Sequence, residues 1–230
     1  MPDTRSSLAK LALSLVLVVS YPTLLMFLSG HRGWIEGWIF SVWFVVLCFA
    51  IFIYLYRRDP TLLAERYKRL GANQKSWDRY LFPGLLLGFL AWIVVMPLDA
   101  KRYAWSRPLP PWLEALGGLA LLASAFFMFR SFTDNTFLSP LVRIQSERKQ
   151  QVVSTGVYGF VRHPMYLAIT LMYVGTPLLL GSLWGIAVGL ANGLLLVVRI
   201  FGEEKMLTEE LEGYPEYKDR VRFRLIPFVW

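Results

Sequence analysis

Two groups of side chains that could do chemistry lie in the last third of this 230-residue sequence. In the first, GVYGFVRHPMYLA over residues 156–168, Arg162, His163 and Pro164 come directly before an apolar run. Because the first helical position needs no N–H donor, Pro164 predicts a helix start with His163 at or near the N-cap. A helix N-terminus beside an arginine attracts carboxylates and phosphates. The alternative is that Arg162 only reaches lipid headgroups and His163 only caps the helix.

The second group follows the last apolar run, in RIFGEEKMLTEELEGYPEYKDRVRFRLIP over residues 199–227. Arg199 and Glu203 are four residues apart, so they can pair on one helix face. Glu203 and Glu204 point about 100° apart on a helix, so one of the two carboxylates should face the protein. A charged group that faces the bundle at a membrane boundary is a candidate functional residue.

The two groups would form one site if the helices that carry them make a hairpin. This site would offer a helix N-terminus and Arg162 to anions, Glu203 or Glu204 to cations, and Tyr158 and Tyr166 for stacking. S-adenosylmethionine needs all of these features, because it carries a carboxylate, an ammonium group, a sulfonium group and ribose hydroxyls. The sequence lacks the Gly-rich fingerprint of Rossmann-type enzymes, so the predicted cofactor site is of a different, membrane-embedded kind.

The elements that position these groups are apolar segments. Hydrophobic residues make up 56% of the sequence and charged residues 17%, against about a quarter charged in a soluble domain. Six apolar runs approach or reach the roughly 20 residues that cross a bilayer. The predicted fold is all-α, a polytopic integral membrane protein with about six transmembrane segments, the last two forming a helical hairpin. The six runs are Leu8–Leu28, Ile35–Tyr56, Leu81–Leu98, Trp112–Phe132, Pro164–Leu180 and Leu183–Phe201.

The first run has no signal-peptide cleavage site, so a retained anchor is predicted. Residues 1–132 are predicted to be four membrane-anchoring helices. Residues 133–230 are predicted to be a cofactor-binding core with the hairpin and a C-terminal cytoplasmic tail. Glycines recur every four residues in the hairpin, and such a row lets a second helix approach closely. These glycines are Gly181, Gly185, Gly189 and Gly193.

The basic residues predict the orientation. The net charge is +8, and most of the 24 lysines and arginines fall on the side that six crossings assign to both termini. The positive-inside rule places that side, with the site, in the cytoplasm. The expected partners are membrane lipids and a lipophilic substrate from the bilayer, and no nucleic acid, because the basic residues adjoin membrane segments. The opposite side carries Arg32, Lys101, Arg102 and Arg107.

Metal ligands are few in this sequence. Cys48 is the only cysteine, and His31 and His163 are the only histidines. One cysteine excludes a thiolate zinc site of the finger type, and the two histidines are too far apart for a helical metal pair. No metal site is predicted.

The order of the motifs resembles the signature of the isoprenylcysteine carboxyl methyltransferase family, which also groups with the phospholipid N-methyltransferases. TGVYGFVRHPMYLA and EEKMLTEELEGYPEYKDRVRFRLIP match G-x-Y-x-x-x-R-H-P-x-Y, E-E-x-x-L, Y-x-x-Y and I-P in order. The resemblance covers about residues 135–227, with a looser likeness in RDPTLLAER and WDRY further upstream. Ala168 departs from the pattern, since the family often has glycine there, and the helix start is expected to pack slightly differently.

The resemblance implies an all-helical membrane methyltransferase that uses S-adenosylmethionine. Its acceptor would be a prenylcysteine-like carboxylate or a lipid amine. Arg224 would be catalytic, because the family places basic residues there near the reacting group. Glu204 is the second predicted catalytic residue, since an amine acceptor must lose a proton to a histidine or a glutamate. The predicted cofactor-binding residues are Tyr158, Arg162, His163, Pro164, Tyr166, Glu203 and Glu204.

Two other functions stay open at this point. An NADPH-dependent membrane reductase of the sterol reductase type has a similar C-terminal motif. Its cofactor carries several phosphates, which would need a larger basic cluster than Arg162 and Arg199. A non-catalytic membrane scaffold would have no need of His163 or of the paired Glu203 and Glu204.

Overall fold

The computed structural model of the chain describes residues 4–67 and 73–230, with side chains from residue 14 onward. Lys68, Arg69 and the side chains of Arg5 and Lys10, which the predicted orientation assigns to the cytoplasm, lie outside this part. Within it the chain forms helices and no strand. The α-helices are α1 (Thr4–Ser29), α2 (Ile35–Arg58), α3 (Pro60–Arg66), α4 (Ser76–Pro97), α5 (Pro111–Asp134), α6 (Pro164–Leu180), α7 (Leu183–Glu210) and α8 (Tyr214–Arg220).

Four helical stretches of the described chain are long and apolar enough to cross a membrane. They are Ile35–Arg58, Ser76–Arg102, Pro111–Asp134 and Leu183–Glu210. Ser14–Ser29 and Pro164–Leu180 are apolar but shorter. The all-helical, multi-pass membrane fold is therefore confirmed. By length and composition, four of the six predicted segments qualify as membrane spans.

The last two segments form the predicted hairpin, and its turn depends on one glycine and one serine. Gly181 ends α6 with φ +78°, a left-handed conformation that glycine adopts without the penalty of a Cβ. Ser182 then caps α7, because its side chain accepts a hydrogen bond from the Gly185 amide at 2.9 Å. The chain thus reverses within two residues.

Two of the four glycines in the predicted row are closely packed. A Cβ on Gly189 would lie 2.4 Å from the Tyr173 carbonyl oxygen of α6, and one on Gly185 would lie 2.6 Å from Met96 of α4. Gly193 has nothing within 4 Å of the same position, and Gly181 lies in the turn. The tight approach of α7 is therefore confirmed at Gly185 and Gly189 and is wrong at Gly193.

Helix α6 packs still more closely on α5, a contact that the sequence did not reveal. A Cβ on Gly117 of α5 would lie 2.4 Å from the Leu179 amide nitrogen, and one on Gly175 would lie 2.9 Å from Ala120. Near the start of α6 the Ser124 hydroxyl donates to the Ala168 carbonyl at 2.7 Å. Small residues let the helices meet where the hydrophobic effect in lipid supplies little attraction.

Asp99 connects elements at the end of the bundle that contains the α6–α7 turn, here called the turn end. This residue lies in a π-helical turn, Leu98–Arg102, that follows α4, and it is fully buried. Its carboxylate accepts hydrogen bonds from the amide and hydroxyl of Ser106 at 2.8 and 2.7 Å. It also accepts from the Ser182 hydroxyl at 2.7 Å and the Trp184 amide at 3.2 Å.

Candidate active site

At the opposite end, here called the site end, the C-terminal segment, residues 221–230, lies against the start of α6. The amide of Arg162 donates to the Phe223 carbonyl, and the amide of His163 donates to the Arg224 carbonyl, both at 2.9 Å. Pro164 is the first helical residue and His163 is the N-cap, as the sequence predicted. The His163 ring makes no capping hydrogen bond and lies toward α7 instead.

Glu204 gathers three basic side chains at the site end. Its Oε1 accepts from Arg162 Nε at 2.6 Å and lies 3.3 Å from His163 Nε2. Its Oε2 accepts from Arg224 Nε at 2.8 Å. Arg162 is completed by the carbonyls of Val221 and Arg222, at 2.6 and 2.8 Å from Nη1. Glu204 therefore holds α7, the start of α6 and the C-terminal segment together.

Glu203 is held differently from its neighbour. Its Oε2 accepts a hydrogen bond from the Tyr166 hydroxyl at 2.6 Å, and its Oε1 accepts none from the described residues. The Tyr166 ring stacks on His163 with centroids 5.5 Å apart and planes at 26°. One carboxylate of the pair thus faces basic side chains, and the other keeps free acceptor capacity beside two aromatic rings.

The tyrosines near this pair belong to two elements. Tyr158 lies in a short 3₁₀ helix, Gly156–Gly159, and Tyr217 of α8 donates its hydroxyl to the Tyr158 carbonyl at 2.7 Å. Gly156 has φ +60°, and a Cβ there would lie 1.9 Å from an oxygen of Asp134. That Asp134 oxygen accepts the Val157 amide at 2.9 Å, which ties the loop to α5. Burial raises the pKa of the Tyr158 hydroxyl above its usual range, so this tyrosine is neutral at physiological pH.

The predicted pair of Arg199 with Glu203 does not form, and Arg199 binds Asp78 instead. Arg199 Nε and Nη2 lie 2.9 and 3.2 Å from the two Asp78 oxygens, and Nη2 also donates to the Pro140 carbonyl at 2.7 Å. Asp78 is fully buried and also accepts the Val142 amide at 3.1 Å. A bidentate contact to a buried carboxylate on another helix outcompetes an i,i+4 pair on the same helix.

A second buried ion pair fixes the long connection between α5 and α6 to α3. Arg143 Nε and Nη2 lie 3.1 and 2.7 Å from Glu65 Oε1, and both side chains are buried. Arg143 Nη2 also lies 2.7 Å from Glu147. The predicted site residues did not include Glu65, Asp78 or Arg143, although Glu65 and Asp78 belong to RDPTLLAER and WDRY, the upstream segments with a likeness to the family.

A cavity of about 730 Å³ opens between these elements. Six of the predicted site residues line it, whereas Glu204 and Arg224 do not. Arg224 lies on Glu204 between the rings of Phe201 and Trp230, at 5.3 and 5.5 Å from their centroids. The six lining residues are Tyr158, Arg162, His163, Pro164, Tyr166 and Glu203.

The other end of the same cavity is apolar. It is formed by side chains of α1, α2, α3 and α5 from residues 1–132, whereas the predicted site residues at the polar end come from residues 133–230, so both predicted parts of the chain contribute to the cavity. A pocket of this size with an apolar wall and a few convergent polar groups is typical of small-molecule sites. The apolar lining includes Val18, Ile51, Phe52, Leu55, Leu63, Met128 and Phe132.

Four arginines line the cavity, and three of them are neutralised by carboxylates. Arg143 binds Glu65, Arg162 binds Glu204, and Arg199 binds Asp78. The fourth, Arg66 of α3, is exposed and forms no ion pair with any described residue. Its guanidinium lies 5.2 Å from the centroid of Phe132, a residue of the apolar wall.

The polar end of the cavity fits S-adenosylmethionine. The first-turn N–H groups of α6 suit its carboxylate, and Glu203 suits its ammonium group or its ribose hydroxyls. The buried hydroxyl of Tyr214, which also lines the cavity, has no hydrogen-bond partner among the described residues. No group of three or more metal-ligating side chains occurs in the described chain.

Comparisons with known proteins place the chain among membrane methyltransferases. Residues 113–212 match the family model for phospholipid methyltransferases. The chain is 30% identical over 146 residues to protein-S-isoprenylcysteine O-methyltransferase B of Arabidopsis thaliana. The aligned region covers 63% of this chain and 70% of the relative. It is 36% identical over 103 residues to the protein-S-isoprenylcysteine O-methyltransferase of Saccharomyces cerevisiae, covering 40% of this chain and 38% of that protein.

The fold has a solved counterpart. The structure of the eukaryotic intramembrane Ras methyltransferase, an isoprenylcysteine carboxyl methyltransferase, superposes with a TM-score of 0.52. The superposition covers 96% of this chain and 86% of the other, at 18% sequence identity. At that identity the two proteins share a fold.

Proposed function

This chain belongs to the isoprenylcysteine carboxyl methyltransferase family of membrane methyltransferases, and on that premise we propose its donor and acceptor. The donor is S-adenosylmethionine, and the acceptor is the carboxylate of a lipophilic, prenylcysteine-like molecule that enters from the bilayer. The observation that carries the proposal is the single cavity with a polar end at His163 and Glu203 and an apolar end between the membrane helices. A methyltransferase for a lipid-linked acceptor needs both ends in one space.

The polar end holds the cofactor in this proposal. Glu203, kept in place by the Tyr166 hydroxyl, binds the ammonium group or the ribose, and the N-terminus of α6 binds the carboxylate. Tyr158 and Tyr166, which line the cavity, would favour the sulfonium group, because an electron-rich ring attracts a cation. Glu204 and Arg224 act as positioning residues, because they hold His163 and Arg162 at the cavity wall.

The methyl transfer requires alignment of the donor and the acceptor and no proton transfer. When bound, S-adenosylmethionine supplies a methyl group whose bond to sulfur breaks as the acceptor oxygen attacks, the electron pair passing to sulfur. The acceptor carboxylate is already ionised, so no residue of the chain has to act as a base. The chain contributes by fixing both reactants in line and by excluding water from the cavity.

Arg66 is the cation that we assign to the acceptor carboxylate. Among the described residues it is the one cavity-lining arginine without an ion pair to a carboxylate, and it lies at the apolar wall on the ring of Phe132. A guanidinium binds a carboxylate through two parallel hydrogen bonds, which fixes the direction of the attacking oxygen. The apolar side chains beside it would hold the lipid part of the same molecule.

The cavity distinguishes this proposal from two others. NADPH carries several phosphates, and three of the four described arginines that line the cavity are already neutralised, so the described part of the cavity offers few phosphate ligands to a reductase. A scaffold would gain nothing from the free acceptor oxygen of Glu203 or the unpaired hydroxyl of Tyr214. The match to phospholipid methyltransferases favours a lipid amine as the second candidate acceptor.

One set of measurements tests the donor and the acceptor separately. S-adenosylhomocysteine should raise the melting temperature of the detergent-purified protein, and NADPH should leave it unchanged, because a ligand stabilises the state that binds it. Methyl transfer should occur to an S-prenylated cysteine carboxylate and be absent with phosphatidylethanolamine vesicles. Stabilisation by NADPH and not by S-adenosylhomocysteine would contradict the methyltransferase proposal. Methyl transfer to the phosphatidylethanolamine vesicles would mean that the acceptor is a lipid amine and not a prenylcysteine carboxylate.

Two variants test the roles of the two ends of the cavity separately. Glu203→Gln keeps an oxygen for the Tyr166 hydroxyl but loses the charge, so S-adenosylhomocysteine should bind about ten- to a hundredfold more weakly. Arg66→Gln should raise KM for the carboxylate acceptor and leave S-adenosylhomocysteine affinity unchanged. The matched control is Glu210→Gln, an exposed surface carboxylate on the same helix. If Arg66→Gln weakens the cofactor instead, the two ends have been assigned the wrong way round.

The orientation of the site is the last part of the proposal. The distribution of basic residues favours a cytoplasmic location for both termini and for the polar end of the cavity, on the side where S-adenosylmethionine is made. Reporter tags at Met1 and Trp230 should both be cytoplasmic. A C-terminal tag on the other side would remove the site from its cofactor.

A further inference from the structure

Tyr214, the first residue of α8, has a buried hydroxyl for which the described part of the protein supplies no partner. Only 4% of the residue is exposed, and its Oη forms no hydrogen bond with any described residue. Burying a hydroxyl without a partner is unfavourable by about 1–3 kcal/mol, and buried polar groups are normally paired. An exception in a well-packed region therefore needs a physical explanation.

The position of Tyr214 supplies that explanation. Other buried side-chain atoms without a partner occur in the described chain, on Tyr21, Trp34, Trp92, Thr176 and Asn192, but none of those residues lines the 730 Å³ cavity. Tyr214 does line it. Its ring makes an edge-to-face contact with Tyr217, which also lines the cavity, with centroids 5.6 Å apart.

The neighbouring tyrosine shows how the same helix satisfies a hydroxyl that has a structural role. Tyr217 is as buried as Tyr214, at 2% exposed, and its hydroxyl donates to the Tyr158 carbonyl at 2.7 Å. The two residues belong to one helical turn, share one apolar cluster and differ in whether the protein supplies a partner.

The protonation state of Tyr214 makes it a donor. Burial raises the pKa of its hydroxyl above the usual range, and the negative charges of Glu204 and Glu203 raise it further. The hydroxyl therefore keeps its proton at physiological pH. What it lacks is an oxygen atom to receive that proton in a hydrogen bond.

We propose that Tyr214 is a further binding residue of the methyl-donor site and that its hydroxyl donates a hydrogen bond to an oxygen of S-adenosylmethionine and of S-adenosylhomocysteine. The proposal rests on the proposed function, because it takes the cavity to be the cofactor site. It adds a residue from α8, so that the donor is held by the start of α6, the end of α7 and the helix that follows them.

The test compares Tyr214→Phe with Tyr217→Phe in the full-length, detergent-purified protein. Removing the Tyr214 hydroxyl breaks no bond within the protein, so the melting temperature without ligand should stay the same or rise. Affinity for S-adenosylhomocysteine, measured by calorimetry, should fall about three- to tenfold, the effect of one neutral hydrogen bond. Tyr217→Phe should do the reverse, lowering the melting temperature while changing affinity less than twofold.

Three results would overturn the proposal, and they are distinguishable. If Tyr214→Phe binds S-adenosylhomocysteine as the parent protein does, Tyr214 is no ligand and the proposed function still stands. If Tyr214→Phe melts lower without ligand, the hydroxyl has a structural partner. If the parent protein itself does not bind S-adenosylhomocysteine, the proposed function fails and this proposal fails with it.

Discussion

The α6–α7 hairpin has a buried carboxylate near each end, and the two carboxylates are satisfied by different chemistry. At the turn end, Asp99 accepts four hydrogen bonds from neutral donors and forms no ion pair with any residue that the structure describes. At the site end, Glu204 is surrounded by basic side chains. The neutral donors are Ser106, Ser182 and Trp184, and the basic side chains are Arg162, His163 and Arg224.

The difference separates a structural anchor from the frame of a site. Asp99 joins the end of α4 to the hairpin turn, and the hydrogen bonds that it accepts serve this connection. Glu204 also joins three parts of the chain. Glu203, one residue earlier, lines the cavity, and its Oε1 accepts no hydrogen bond from the described residues. A buried carboxylate is thus weak evidence of a site. An adjacent group with unused hydrogen-bonding capacity toward a cavity is stronger evidence.

The largest expected effect is that of Glu204→Gln. Removing one partner from a buried ionic cluster leaves the others uncompensated, which typically destabilises a protein by about 3–5 kcal/mol. We expect a large fall in melting temperature and, as a consequence, weaker S-adenosylhomocysteine binding. Glu210→Gln removes a carboxylate from an exposed pair with Lys75 on the same helix and should change stability by at most about 1 kcal/mol. Equal melting temperatures for the two variants would mean that Glu204 does not hold the site end together.

Asp99→Asn should have a smaller effect, confined to stability. An amide keeps one acceptor oxygen but turns its NH₂ toward groups that also donate, so about 1–3 kcal/mol of unfolding free energy should be lost. Because Asp99 lies at the turn end, the folded variant should bind S-adenosylhomocysteine with the affinity of the parent protein. Calorimetric titration below the melting transition measures this. Weaker binding by the folded variant would show that the two ends are coupled.

The smallest effects are expected between the ends, where Gly189 and Gly193 provide a matched pair on α7. Gly189→Ala should destabilise by about 1–3 kcal/mol through overpacking, offset by up to about 1 kcal/mol of helix propensity, because the added methyl meets the Tyr173 carbonyl. Gly193→Ala, with open space at the same position, should stabilise by up to about 1 kcal/mol. Thermal melting of the two variants should therefore shift in opposite directions. Matching shifts would contradict the close approach of α7 to α6.

Much of the architecture follows from the sequence because its signals are local. Runs of apolar residues predicted the membrane helices, and Pro164 predicted where α6 begins, since proline suits a first helical position whatever surrounds it. The order of the RHP motif, the glutamate pair and the final I-P predicted the family. The same motifs led to six residues that line one cavity, although their roles in binding stay predictions.

Other features depended on which helices meet, and no periodicity in the sequence states that. Arg199 had an acceptable partner four residues away in Glu203, yet it binds Asp78, because α4 brings a buried carboxylate that a bidentate guanidinium prefers. Only the packed structure shows that Glu204 is enclosed while Glu203 keeps a free oxygen. It also shows that, among the described residues, Arg66 is the cavity-lining arginine without an ion pair and the Tyr214 hydroxyl has no partner. Residue types and their order along the chain are local properties. Burial and pairing depend on distant segments that meet in space, so only the tertiary structure decided them.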